Sequence, residues 1–396
     1  MSKVTSLMSC TEPTGVEWFF AAVGDRLIRY ALSAKGDLRT TDTLFMPLPV
    51  QYACLDSARG LQYVVCSNGG VGRMGDRHCL VRVAVDRPLR ALEAPVQLPH
   101  RPIHVSLSRG GRRLFIAYNL PAAFSVIDLD ATGRVSGEVT ALGGEALAGW
   151  FPHQILPIPG RDNAVLLTCR GDDATPERAE NPGSLRVLCL DESQPRVSQV
   201  VAPRGGYGFG PRNCGFHPRL PWLYAVLERQ NALVQFDLQD GRIAGVPACT
   251  VGLLQRPELV SRPQLAGALE LHPGGHVAYV VNRSHAVVLD GPHAVWGQGE
   301  NSIVVLRLDP ATGAPTPVQF MPLQGLHARC MAIVHGGRML VAAIRQDSLR
   351  RTESGLQPCP AGFSIFRIRD DGQLTAIAHV PEAVGDAQIF WAGAGC

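Results

Sequence analysis

Lysine is nearly absent from this 396-residue chain, confined to Lys3 and Lys35, and charged residues of all kinds make up only 18%. With a net charge of +3 and no run of Lys and Arg, nothing forms the basic patch that a nucleic-acid partner needs. No apolar segment reaches the roughly 20 residues of a membrane-spanning helix. Residues 1–17 lack the apolar core of a signal peptide. The expected compartment is therefore the cytoplasm, with no membrane partner. The eleven Cys contain no CxxC pair and no ligand-like spacing with His. Cys54, Cys66, Cys189 and Cys214 lie within apolar runs and are expected as buried free thiols. HExxH, a strand–Gly-rich loop–helix for phosphate, GxSxG and the Gly-His…Trp-Asp signature of WD repeats are all missing. No metal, nucleotide or other cofactor is expected, and a serine hydrolase is disfavoured. No segment carries a convincing apolar period of 3.6, so helices should be few.

What is abundant is turn chemistry: Gly 42 and Pro 30 suit many short strands joined by turns. From residue 51 onward one layout recurs about every 50 to 60 residues, six times. A short apolar run, a tight turn and a second apolar run come first, then a third strand and a weaker fourth. Examples are Tyr52-Ala53-Cys54-Leu55 with Leu61-Gln62-Tyr63-Val64-Val65, and Ala268-Leu269-Glu270-Leu271 with Val277-Ala278-Tyr279-Val280-Val281. Four strands at this period mark a β-propeller blade. The strands from Val16 lack an innermost partner, and the C-terminal run Ala387–Trp391 lacks a blade. Pairing them makes a seventh blade and removes an open edge. The expected fold is all-β: one seven-bladed β-propeller of four-stranded blades over 16–396, closed by the C-terminal strand, after a tail over 1–15. A monomer is expected.

In such a blade, first-strand starts and second-strand ends share one face of the disc. First-strand starts carry Arg101, His104, His153, Arg212 and Arg329; second-strand ends carry Asn119, Glu228, Arg283 and Gln346. Three insertions, 170–183, 284–301 and 347–361, rise from the same face. Loops gathered around charged residues form a walled site. Each residue also has a plainer reading. Arg212 and Glu228 suit a structural ion pair, His153 a core histidine, Arg283 a solvated strand end. His217, His272 and His335 read as turn or surface residues. Buried together, two Arg, one His and one Glu are costly unless paired and are candidates for catalysis or anion binding.

The pattern Gly210-Pro211-Arg212…Phe216-His217-Pro218…Leu223-Tyr224…Glu228, with His272-Pro273-Gly274-Gly275…Asn282-Arg283 and Phe151-Pro152-His153, resembles the lactonase family of seven-bladed propellers. That family includes bacterial 6-phosphogluconolactonases and the fungal carboxy-cis,cis-muconate cyclase. The resemblance spans about 17–391. It implies site roles for His153, Arg212, Glu228 and Arg283, with Arg329 and Gln346 at further channel-facing positions. Asn213 departs from the His common in the bacterial enzymes. The implied activity is hydrolysis of a sugar lactone, 6-phosphogluconolactone first, with a muconate-type lactonising cyclase or a non-catalytic scaffold as alternatives. The implied partner is a small anionic molecule, a sugar phosphate lactone or a polycarboxylate. Glu228 or His153 is placed to take a water's proton, and Arg212 and Arg283 to bind an oxyanion or an anionic group.

Overall fold

The computed structural model describes residues 16–86, 88–190 and 194–395; the expected tail over 1–15 lies outside them. Among the described residues seven antiparallel sheets follow one another as blades. The chain belongs to the expected class, and the closing strand is Ile389–Ala394, which pairs with Val16–Val23. Counted from the blade that the closing strand completes, the innermost strands of blades 1 to 7 are Ile389–Ala394, Val50–Asp56, Pro102–Leu107, Pro152–Ile158, Pro211–Phe216, Gln264–Leu271 and Ala328–Val334. Each packs beside the next, and the last beside the first, so they line an axial channel.

Second strands read as unbroken apolar runs because both of their faces are buried. In Val277–Ser284, Val277, Tyr279 and Val281 pack toward blade 7, while Ala278 and Val280 pack toward blade 5. The two-residue period of a strand divides the run between two neighbours.

Polar staples join the blades. Tyr63, Tyr224 and Tyr279 donate from their hydroxyls to the carbonyls of Gly133, Gly313 and Gly372 in the next blade, at 2.8, 2.7 and 2.8 Å. Gly313, at φ +72°, must be glycine: a Cβ there would lie 2.4 Å from the Trp222 ring. The turn histidines do the same on the face away from the insertions. Nε2 of His217, His272 and His335 donates to Gly275 O, Gly337 O and Leu32 O at 2.7, 2.9 and 3.0 Å. His217 and His335 are buried rather than superficial, because each turn is covered by the following blade.

All three insertions leave from second-to-third-strand connections, as expected. Two of them combine in a way the repeat does not show. Val287–Asp290 and His293–Trp296 join Ser348–Thr352 and Gly355–Cys359 in a separate four-stranded sheet, through a parallel pairing of Trp296 with Arg350. It adjoins blades 6 and 7, from which its strands arise.

Candidate active site

A β-bulge near the start of every innermost strand builds the site. In six blades one residue is skipped in the pairing: Gln51, Ile103, His153, Arg212, Arg329 and Phe390. In blade 6 the shift falls between Ala266 and Leu269. A bulge re-aims a side chain out of the ladder, and all six skipped residues line the channel. Proline precedes three of them, at Pro102, Pro152 and Pro211, where the missing N–H suits an irregular pairing.

The channel has two compartments. The mouth, about 250 Å³, is lined by Arg101, Asn119, His153, Arg170, Arg212, Glu228, Arg283, Arg329 and Arg345, with His285 and His327 on one side. Below it lies a chamber of about 320 Å³ with Gln51, Tyr52, His104, Asn213, Glu270 and Cys330. His153, Arg212, Arg329 and Ile103 border both. The structure thus brings Arg101, Asn119, His153, Arg212, Glu228, Arg283 and Arg329 together. It does not bring His104 or Gln346 to the mouth. His104 lies one residue past the bulge and faces the chamber, 4.5 Å from the Tyr52 ring, its Nδ1 accepting from Ile155 N. Gln346 lines neither compartment; Arg345, one residue earlier, takes that position. Arg170 and Arg345 are the second-strand-end residues that sequence reasoning passed over. Each directly follows the last residue of a second strand, Cys169 or Ile344, and the same face rule, applied to that position, selects them.

Glu228 is the hub. Its Oε1 accepts from Arg212 Nε at 2.8 Å and from Arg283 Nη2; its Oε2 accepts from Arg170 Nη1 at 2.9 Å. Its backbone is tied on both sides, donating to Gly210 O and accepting from Ala266 N. Burial alone would push the Glu228 carboxyl up, but Arg212, Arg283 and Arg170 together outweigh it and hold the group at about 2. With both oxygens engaged by arginine, Glu228 is an anchor for cations and a poor proton acceptor at neutral pH.

The cations exceed the anions. Arg329 donates Nε to Phe390 O at 3.2 Å and lies 3.7 Å over the Phe390 ring. Arg345 donates Nε to Gln388 Oε1, and Arg101 to Gln51 Oε1. None of these three touches a carboxylate among the described residues, so six guanidiniums share the Glu228 charge. Burial and then Arg283 push Arg212 down to about 9 despite Glu228; burial and the neighbouring arginines push Arg329 well below its ordinary range. Burial, then Arg212, Arg170, Arg329 and His104, hold His153 well below the imidazole range, so it is neutral.

Among the described residues, four buried nitrogens around the mouth have no hydrogen-bond partner: His153 Nδ1, Arg170 Nε, Arg283 Nε and His285 Nδ1. Buried donors and acceptors left open are rare and expensive. An anion entering the mouth would meet uncountered guanidinium charge and open N–H groups together. Among the described residues no cluster of His, Cys, Asp and Glu is arranged to hold a metal ion.

Comparison with known proteins agrees with this architecture. A family described as "Lactonase, 7-bladed beta-propeller" matches residues 22–351. A 6-phosphogluconolactonase of Pectobacterium atrosepticum is 27% identical over 262 residues, 65% of this chain and 71% of its own. One from Cronobacter sakazakii is 28% identical over 204 residues, half of this chain and 53% of its own. The solved periplasmic gluconolactonase of Pseudomonas aeruginosa superposes with a TM-score of 0.71 at 18% identity, over 92% of this chain and 96% of its own.

Proposed function

We propose a function that starts from one fact: the chain belongs to the lactonase family of seven-bladed β-propellers. The chain is a carboxylic ester hydrolase that opens 6-phosphogluconolactone to 6-phosphogluconate, in the pentose phosphate branch of carbohydrate metabolism and in the cytoplasm. The observation that carries this reading is the mouth itself, where six arginines share one carboxylate around a neutral histidine whose Nδ1 is unpartnered. A non-catalytic scaffold has no use for buried charge without counter-charge.

The chemistry follows from the residues. His153 takes a proton from a water whose oxygen bonds to the lactone carbonyl carbon. The carbonyl oxygen gains the negative charge, and Arg212 and Arg283 receive it, held in place by Glu228. Collapse breaks the bond between the carbonyl carbon and the ring oxygen, and His153 returns its proton to that oxygen. A positioned base contributes roughly 10²–10⁴-fold, and one oxyanion donor roughly 10²–10³-fold. His153 is a weak base while it faces uncountered guanidiniums. The negative charge that develops on the carbonyl oxygen beside Arg212 offsets that guanidinium and raises the basicity of His153 as the water attacks.

The test is hydrolysis of 6-phosphogluconolactone by the wild type and by His153→Gln. The wild type should turn over, and the variant should lose at least about 100-fold in kcat with its thermal midpoint retained. Absence of wild-type turnover, or an unchanged kcat in the variant, overturns the proposal.

A further inference from the structure

The inserted sheet places aromatic rings at the mouth. His285 follows the second strand of blade 6, and His327 precedes the first strand of blade 7. Both line the mouth together with Arg345. Trp296, from the inserted hairpin, stacks on His327 at 5.2 Å with 30° between the planes. His285 lies 5.1 Å from His327 and 6.2 Å from Trp296. Asn301, which ends the same insertion, accepts from the backbone N–H of both Ser284 and His327 through its Oδ1. His327 sits there at φ +59°, a strained conformation for a side-chain-bearing residue, and its Nδ1 donates to Ser284 O at 3.3 Å. The insertion therefore holds His327 rigid, and His327 with Trp296 holds His285.

Two groups are left over. Arg345 spends only its Nε, on Gln388, and has no carboxylate partner among the described residues. His285 Nδ1 is buried with no hydrogen-bond partner among the described residues. The charges that bear on His285 are Arg283, Arg345 and Glu228; those that bear on His153 are Arg212, Arg170 and Arg329. The mouth thus has two sides, with His153 of blade 4 on one and His285, His327 and Arg345 of blades 6 and 7 on the other, and the guanidiniums of Arg212, Arg283 and Arg329 between them.

We propose that Arg345 and His285 form a subsite for the substrate's phosphoryl group, remote from the reacting lactone, and that the inserted sheet creates it by positioning His285 through His327 and Trp296. The inference rests on the lactone-hydrolase reading and adds the residues that select a phosphorylated lactone over a plain one. A guanidinium offers two N–H groups side by side, and His285 adds a third donor from the neighbouring blade. A fork of two parallel donors with a third from a second direction matches the three oxygens of a phosphoryl group better than the two of a carboxylate.

The experiment compares kcat/KM for 6-phosphogluconolactone and for unphosphorylated gluconolactone in the wild type, Arg345→Ala, Trp296→Ala and Trp296→Phe. The preference for the phosphorylated lactone should fall at least about tenfold in Arg345→Ala, through KM rather than kcat, as loss of a charge-assisted contact implies. Trp296→Ala should move it the same way by less, and Trp296→Phe should restore it. Calorimetric binding of inorganic phosphate at fixed ionic strength should weaken in Arg345→Ala. If the wild type opens both lactones with no preference for the phosphorylated one, or if Arg345→Ala leaves the preference unchanged, the subsite is wrong and the lactonase reading stands. If neither lactone is opened, yet phosphate binds the wild type and not Arg345→Ala, the anion subsite stands and the lactonase reading falls.

Discussion

Glu228 and Glu270 lie in neighbouring blades on one channel and have opposite ionisation. Glu270, in the chamber, is pushed by burial up to about 8 and makes no ion pair among the described residues. Glu228, in the mouth, is more deeply buried and yet is held at about 2 because three guanidiniums overcome that burial. Burial by itself turns a carboxyl into a neutral acid; convergent arginines turn it into a fixed anion. The mouth is built to organise positive charge, whereas the chamber below is walled largely by the innermost strands' apolar side chains and keeps its carboxyl protonated near neutrality.

The comparison breaks most sharply at Glu228. Glu228→Gln keeps the shape but leaves Arg170, Arg212 and Arg283 without their anion. Removing one partner of a buried pair costs about 3–5 kcal/mol, so denaturant unfolding at pH 7 should show a loss of that order, together with loss of turnover. The sign with pH is fixed by the depressed folded-state value. The contribution is present above the unfolded value near 4.5 and is lost as pH falls toward about 2. The gap between wild type and variant should begin to close below about pH 5; a gap that stays constant down to pH 3 would show that the charge is not its source.

Glu270 should behave in the opposite sense. Its folded value is raised, so its contribution is fully favourable below about 4.5 and is lost as pH rises through about 8. Glu270→Gln should gain stability relative to the wild type between pH 5 and pH 8. Parallel unfolding curves for the two proteins at both pH values would refute this.

The smallest effect separates the two faces of the disc. His272 has partners at both ring nitrogens, donating to Gly337 O and accepting from Gly274 N, whereas His153 Nδ1 has none. His272→Ala should lower stability by about 1 kcal/mol with turnover intact. A loss of activity matching that of His153→Gln would undo the division between stapling and functional histidines.

Much of the site could be read from residue order. Once the blades were counted, the rule that first-strand starts meet second-strand ends put Arg101, Asn119, His153, Arg212, Glu228, Arg283 and Arg329 at one mouth, and they are there. It misplaced His104 because facing depends on the phase of a bulge, and Gln346 because the second strand there ends at Ile344, so that Arg345 holds the position. A one-residue slip reverses the direction of a side chain, and nothing beyond the preceding prolines marks that slip. It passed over Arg170 and Arg345 because an insertion that begins at or just after them blurs where the strand ends.

The repeat of apolar runs and Gly-Pro turns by itself determined the blade period, the seven-blade closure through the C-terminal strand and the face that carries the charges. Each of these follows from local pattern plus the need to bury both sides of every strand. Tertiary structure alone decided which guanidiniums converge on Glu228, why Glu270 stays a neutral acid and how two insertions far apart in the chain join behind His285 and His327. Those outcomes depend on distances between different blades and on the water excluded there, and neither is encoded in the spacing within any one repeat.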